Sequence, residues 1–220
     1  YTQQAKRALQ QAQQVIANKL NVKSEYAAAC NHYRNKAYGK ATAGFQRIIS
    51  YGKNATDLSM SDKAYMIKSL YSLGICQLAM DELDNAIASF SSVMVYKDQA
   101  IPRLGDDFFP GVENKLQIYK DKQQANRLNK QALQYFKAKN YAAAQPLFEE
   151  VLAINERFYA NRLHHHVASS HYNLGAVLQE QAEYTLAKAS LTKAKTIWQQ
   201  LGEDTDTDVS AADIATAVQK

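Results

Sequence analysis

Residues that interrupt regular structure are scarce in this 220-residue sequence. It has only three prolines and eight glycines, and the stretches between them are rich in Ala, Leu, Gln and Lys, which lose little side-chain freedom in a helix. Hydrophobic residues make up 46% of the chain, which is enough for a buried core and excludes a disordered protein. The composition therefore predicts helix throughout.

Cysteines and long apolar runs are also scarce. Cys30 and Cys76 lie far apart in the sequence, so we predict two small buried residues rather than a disulfide framework or a metal site. No apolar run approaches the roughly 18 residues that a membrane helix needs, so we predict no membrane insertion. The sequence does not distinguish the cytoplasm from the periplasm. Because it begins with Tyr1 rather than Met, we expect a processed protein or a piece of a longer one.

The positive charge is too small and too scattered for a nucleic-acid surface. The formal net charge is +5 and the isoelectric point is near 9.0, but no block of five or six Lys or Arg residues occurs. Tracking a phosphate backbone requires cations that are clustered on one face. We therefore predict no nucleic-acid partner, and an acidic peptide suits the modest charge better.

Catalytic motifs are missing as well. There is no GxSxG, P-loop, HExxH or glycine-rich dinucleotide turn. The pairs Asp106–Asp107 and Glu149–Glu150 are sequence neighbours whose side chains point apart, so we expect solvated carboxylates rather than a shared proton. We predict that the protein is not an enzyme, with no catalytic residue and no cofactor.

Four histidines near the C-terminal end raise the possibility of a metal site. They are His164, His165, His166 and His171, and His164 and His171 are spaced to share a helix face. No Cys or carboxylate stands nearby at ligand spacing. We therefore predict no metal site, and a solvated or helix-capping role for these residues.

A pattern of small and apolar residues recurs four times along the chain. Each copy has Gly or Ala in a first slot, Ala twelve residues later and a large apolar residue four positions after that. The copies are Ala29, Ala41 and Phe45; Gly74, Ala86 and Phe90; Ala132, Ala144 and Phe148; and Gly175, Ala187 and Leu191.

Close helix packing explains this pattern. Small residues at the first two slots let two antiparallel helices approach, and Tyr38, Leu83, Tyr141 and Tyr184 would cover the junctions. One hairpin cannot bury its apolar face alone, so neighbouring hairpins must stack into a superhelix with a concave groove. The predicted fold class is therefore all-α, an α-superhelix (solenoid) of about four helical hairpins with flanking helices.

These residues resemble the tetratricopeptide repeat family, whose Leu-Gly, Tyr, Ala and Phe positions they match. The alanines Ala41, Ala86, Ala144 and Ala187 are spaced by 45, 58 and 43 residues, against about 34 in the family. Residues 141–209 resemble the long-repeat branch found in kinesin light chains and bacterial relatives, although the prolines that often precede its Val-Ala pair are missing before Val167.

The expected layout is a single domain over residues 1–220. We predict a flanking helix at 1–20, two repeats at 24–98, a loop or hinge at 99–112, a long helix and two further repeats at 113–200, and a capping segment at 201–220. The loop is assigned because Pro102, Gly105, Pro110 and Gly111 cluster there.

The resemblance implies that the first helix of each hairpin lines the groove and holds a protein or peptide. This transfer gives a peptide-binding set that is rich in aromatic and amide side chains: Lys23, Tyr26, Tyr33, Arg34, Lys68, Tyr71, Asn126, Asn129, Phe136, Tyr172, Asn173 and Gln179. Further candidates on the same faces are Cys30, Ile75, Leu133, Ser169 and Ala176. For any single tyrosine, packing between adjacent repeats is an equally open interpretation.

The predicted function is a non-catalytic scaffold or adaptor, of bacterial origin by resemblance. A ligand- or peptide-sensing input domain of a larger signalling protein, such as a kinase or transcriptional regulator, is the alternative. A third hypothesis is self-association through the groove or a terminal repeat.

Overall fold

The computed structural model describes residues 20–99, 101, 103–160 and 163–202, and this part of the chain contains helices and no strand. The helices are α1 (Val22–Arg34), α2 (Tyr38–Asn54), α3 (Met60–Ala79), α4 (Leu83–Met94), α5 (Phe108–Lys137), α6 (Tyr141–Phe158), α7 (His165–Glu180) and α8 (Tyr184–Leu201). The predicted all-α fold of helical hairpins is confirmed. The predicted flanking helix and capping segment lie outside the described residues, except for residue 20 and residues 201–202.

The described helices pair as four hairpins within two compact units. The first unit ends at Leu116 and the second begins at Gln117, so the boundary falls within α5. The α1–α2 and α3–α4 hairpins belong to the first unit, where α2 also packs against α3. The α7–α8 hairpin belongs to the second, where α6 packs against α7. The expectation of a single domain over residues 1–220 stays a prediction.

The recurring slots form the buried contact of every hairpin. All twelve residues of the pattern are buried, and Ala41, Ala86, Ala144 and Ala187 have no exposed surface at all. In the second unit, one apolar cluster joins slot residues of both hairpins, among them Ala132, Phe148 and Ala187. The slots are therefore where the two helices of each hairpin meet.

The two glycine slots admit no side chain. A Cβ atom on Gly74 would lie 2.7 Å from Cε1 of the fully buried Phe90. A Cβ atom on Gly175 would lie 2.6 Å from Cγ of Leu191 and 3.2 Å from its backbone nitrogen. Both distances to side-chain carbons are below van der Waals contact, so a side chain at either position would require Phe90 or Leu191 to move.

The four hairpins also share one turn. Lys36, Asp81, Lys139 and Ala182 each adopt the left-handed conformation, with φ between 57° and 63°. In the last turn, the N–H of Glu183 donates to the carbonyl of Leu178 and that of Ala182 donates to Gln179. The same pair of hydrogen bonds closes the other three turns, so each first helix ends in the Schellman-type motif.

Helix α5 begins earlier than the sequence predicts. The loop was expected to run to residue 112, but the helix starts at Phe108 and includes Pro110. Proline is tolerated there because the N–H groups of the first turn have no intrahelical partner to lose. The Phe108 ring also lies 5.9 Å from the Tyr71 ring, centre to centre, in an edge-on contact that helps to hold this turn.

One histidine is buried among the helices of the second unit. His171 of α7 is only 5% exposed, and its Nδ1 has no hydrogen-bond partner among the described residues. Its Nε2 lies 3.5 Å from a carboxylate oxygen of Glu156 on α6. Burial and the charge of Lys193 lower the pKa of His171, and Glu156 opposes this only in part. The imidazole is therefore neutral at pH 7.

We expect Gly74→Ala to destabilise the first unit. Overpacking of a fitted core costs about 1–3 kcal/mol, and the better helix propensity of alanine offsets at most about 1 kcal/mol of that cost. Gly39→Ala is the matched control, because Gly39 lies in α2 and a Cβ atom added there would have nothing within 4 Å. It should raise stability by up to about 1 kcal/mol. Urea unfolding followed by circular dichroism measures both; equal effects would contradict the close-contact explanation.

We expect the second unit to lose stability on acidification. The folded pKa of His171 is below its usual value, so the unfolded chain binds more protons than the folded chain. The free energy of unfolding should fall as the pH drops below about 6.5. His171→Gln should flatten this slope. Urea titrations between pH 7.5 and 5 provide the test, and an unchanged slope in His171→Gln would refute it.

Candidate functional site

Four of the six predicted residues of the second unit line one cavity. It has a volume of about 420 Å³, and its lining includes Phe136 of α5 and Tyr172, Asn173 and Gln179 of α7. Leu133 and Ala176, the further candidates on these faces, line it too. Helices α5 and α7 are the first helices of their hairpins, so the cavity lies on the face where the sequence placed the groove.

The cavity combines an apolar floor with a polar rim. Phe148 and Leu191, both buried slot residues, form part of its lining, and exposed Lys137 and Glu180 lie at its edge. A hydrogen bond to the Glu180 carboxylate is the main cause of the raised pKa of Tyr141. Lys137 and Glu180 are not among the predicted residues, although each follows a predicted candidate, Leu133 or Ala176, by four residues on the same helix face.

A smaller polar recess adjoins the same helices. Its volume is about 60 Å³, and it is lined by Asn126 and Asn129 of α5 and Asn173 of α7, among others. Asn173 lines both spaces and donates from Nδ2 to Oδ1 of Asn129 at 3.2 Å. The predicted amides of the second unit therefore lie together, and they offer donors and acceptors suited to a peptide backbone.

The predicted tyrosines of the first unit pack against other aromatic rings. The Tyr26 ring lies 5.6 Å from Phe45 and 5.4 Å from Tyr65, and its hydroxyl is 3.3 Å from that of Ser72. Burial raises the pKa of Tyr26 to about 12. Tyr71 lies 5.6 Å from Phe90, and Tyr33 lies 5.6 Å from Tyr38. Packing is thus at least one role of these rings.

The predicted cations of the first unit are more accessible. Lys23 and Arg34 are exposed at the two ends of α1, and Lys68 of α3 is half-buried. Groove binding by the first-unit residues stays a prediction.

The three consecutive histidines lie at the start of α7. His164 is the N-cap residue, and its Nδ1 accepts a hydrogen bond from the backbone N–H of His166 at 3.2 Å. His164 and His171, whose spacing predicts a shared helix face, have different surroundings: His171 is buried beside Glu156 of α6, whereas His164 is half-buried at the start of α7.

The acidic pairs carry no catalytic geometry. Glu149 accepts a hydrogen bond from Gln145 and Glu150 accepts one from Gln124, so these two carboxylates have separate partners. Asp106 and Asp107 are both exposed in the segment before α5.

Within the described residues, no helix is long and apolar enough to cross a membrane.

Comparison with known proteins bears on the second unit most directly. Residues 123–200 match the tetratricopeptide repeat family model. Among solved structures, the chain is similar to the crystal structure of BtubC (BKLC) from P. vanneervenii, with 15% identity, 94% of each chain covered and a TM-score of 0.38. No curated protein matches the sequence. The matched segment covers the second half of α5, all of α6 and α7, and α8 up to residue 200.

Proposed function

We propose that this protein is a non-catalytic scaffold or adaptor that holds a protein or peptide segment against the first helices of its hairpins. The cavity bounded by α5 and α7 carries the proposal, since four of the predicted binding residues line it: Phe136, Tyr172, Asn173 and Gln179. Tetratricopeptide repeats generally mediate protein–protein interaction, and this cavity lies inside the matched segment.

The cavity suits one apolar anchor side chain of an extended or helical segment. A volume of about 420 Å³ is at the small end of ligand pockets, and its floor is apolar. The amides of Asn173 and Gln179 would then satisfy the peptide groups that flank the anchor, because a peptide that enters the cavity must exchange its hydrogen bonds to water.

The charge of the partner is a separate question. The rim carries one positive side chain, Lys137, and one negative side chain, Glu180. The cavity itself therefore favours neither an acidic nor a basic partner. The acidic partner suggested by the net charge stays a prediction, as do self-association and the input domain of a signalling protein. The similarity of residues 141–209 to the kinesin-light-chain-like branch supports a bacterial long-repeat adaptor as the finer form of this proposal.

Selection of peptides from a random displayed library, followed by fluorescence anisotropy with the intact chain, tests the groove. We expect enriched sequences to share one apolar anchor and to lose at least about tenfold in affinity, or about 1.4 kcal/mol, for Ala176→Arg and Ala176→Glu. Both substitutions fill the half-buried wall of the cavity. Loss in Ala176→Glu alone would instead identify charge, and therefore an acidic partner, as the deciding factor.

Ala142→Arg and Ala142→Glu are the matched controls. Ala142 is exposed in the first turn of α6 and is not part of the cavity lining, so these variants should bind as tightly as the parent chain. Circular dichroism confirms that all four variants fold. Peptides that bind the folded Ala176 variants and the parent equally well would place recognition outside the cavity.

A further inference from the structure

Three imidazoles converge at the first turn of α7. His164, His165 and His166 each offer a ring nitrogen, and these three atoms all lie within 4.8 Å of one another. The ring centres are 4.4 Å apart for His164 and His165, 4.1 Å for His165 and His166, and 5.2 Å for His164 and His166. The cluster is separate from the 420 Å³ cavity, because none of its residues lines that space.

The N-cap conformation brings the rings together. Consecutive side chains on a regular helix point about 100° apart, which would spread three neighbouring histidines around the axis. His164 instead has extended backbone angles, with φ of −153° and ψ of 138°. The direction of its ring therefore does not follow the spacing of about 100° between helix side chains, and the ring lies beside the rings of the two residues that follow it.

Two contacts orient the His164 ring. It stacks on Tyr159 with the ring centres 3.7 Å apart and the planes at 14°, and its Nδ1 accepts the backbone N–H of His166. Tyr159 is itself buried at the end of α6. The His164 imidazole is thus held in place beside the exposed His165 and His166, and the His166 ring also lies 5.8 Å from the Tyr159 ring, centre to centre.

We propose that His164, His165 and His166 form a binding site for one divalent transition-metal ion of the Zn²⁺ class. Imidazole nitrogens bind zinc at about 2.0–2.1 Å, which places tetrahedral ligands about 3.4 Å apart. The three ligand nitrogens, which lie within 4.8 Å of one another, would approach to this spacing when the ion binds. Three imidazoles leave a coordination position open for water or for a donor group from a partner, and they select borderline metals over the oxygen-seeking Mg²⁺ and Ca²⁺.

This proposal revises the expectation drawn from the sequence. The spacing of His164 and His171 predicts a shared face with no Cys or carboxylate to complete a site. His171 is buried beside Glu156 of α6, and the three consecutive histidines form a ligand set without it.

Zinc titration of the untagged full chain, monitored by calorimetry or by competition with a chromophoric chelator, tests the site. We expect one saturable Zn²⁺ per chain and no comparable heat with Mg²⁺ or Ca²⁺. His165→Gln and His166→Gln should each weaken binding about tenfold or more, since even outer-shell partners of metal ligands are worth about 10- to 100-fold. The triple variant His164→Asn, His165→Gln, His166→Gln should lose the site.

The variants are chosen to preserve the fold. Asparagine is among the best N-cap residues, so His164→Asn removes the imidazole and retains the cap of α7. His32→Gln, which removes a histidine from α1, should bind zinc like the parent chain. The proposal is wrong if the parent binds zinc no better than the folded triple variant, or if His32→Gln removes the binding.

Discussion

The close approach of the paired helices at the Gly and Ala slots is the constraint on which the described structure depends. Because the slot residues carry no side chain or only a methyl group, Phe45, Phe90, Phe148 or Leu191 can close over the contact and become fully or almost fully buried. Such packing leaves little space for relaxation, because protein interiors are as dense as molecular crystals. The crossing in turn fixes which faces of α5 and α7 remain available to line a cavity.

The hairpins were predictable from sequence because their determinants are local. A small residue and an alanine twelve positions later mark both helices of a hairpin, and a residue such as Tyr38 or Tyr141 marks the junction between them. The start of α5 was not predictable in the same way, since Pro110 and Gly111 are equally compatible with a loop and with a first helical turn. The edge-on contact of Phe108 with Tyr71, a residue distant in sequence, favours the helical alternative.

The candidate site was likewise predictable from the sequence only in part. The resemblance to tetratricopeptide repeats implies groove-facing positions for Phe136, Tyr172, Asn173 and Gln179, and these four residues line the cavity. Periodicity does not show whether an aromatic ring faces solvent or a neighbouring ring, so Tyr26 and Tyr71 could not be assigned from spacing alone. The histidine cluster escaped prediction for another reason: its geometry comes from the extended backbone of one N-cap residue, for which the sequence has no periodic signal.

The shared turn has a consequence for how such a chain can diversify. Its hydrogen bonds join backbone groups only, and the left-handed position is occupied by lysine, aspartate or alanine in different copies. The geometry is therefore specified by the peptide backbone and tolerates different side chains at the same point. A basic, acidic or neutral side chain can occupy this position without changing the direction of the helix that follows. The surface at the turns can therefore change independently of the packing between helices.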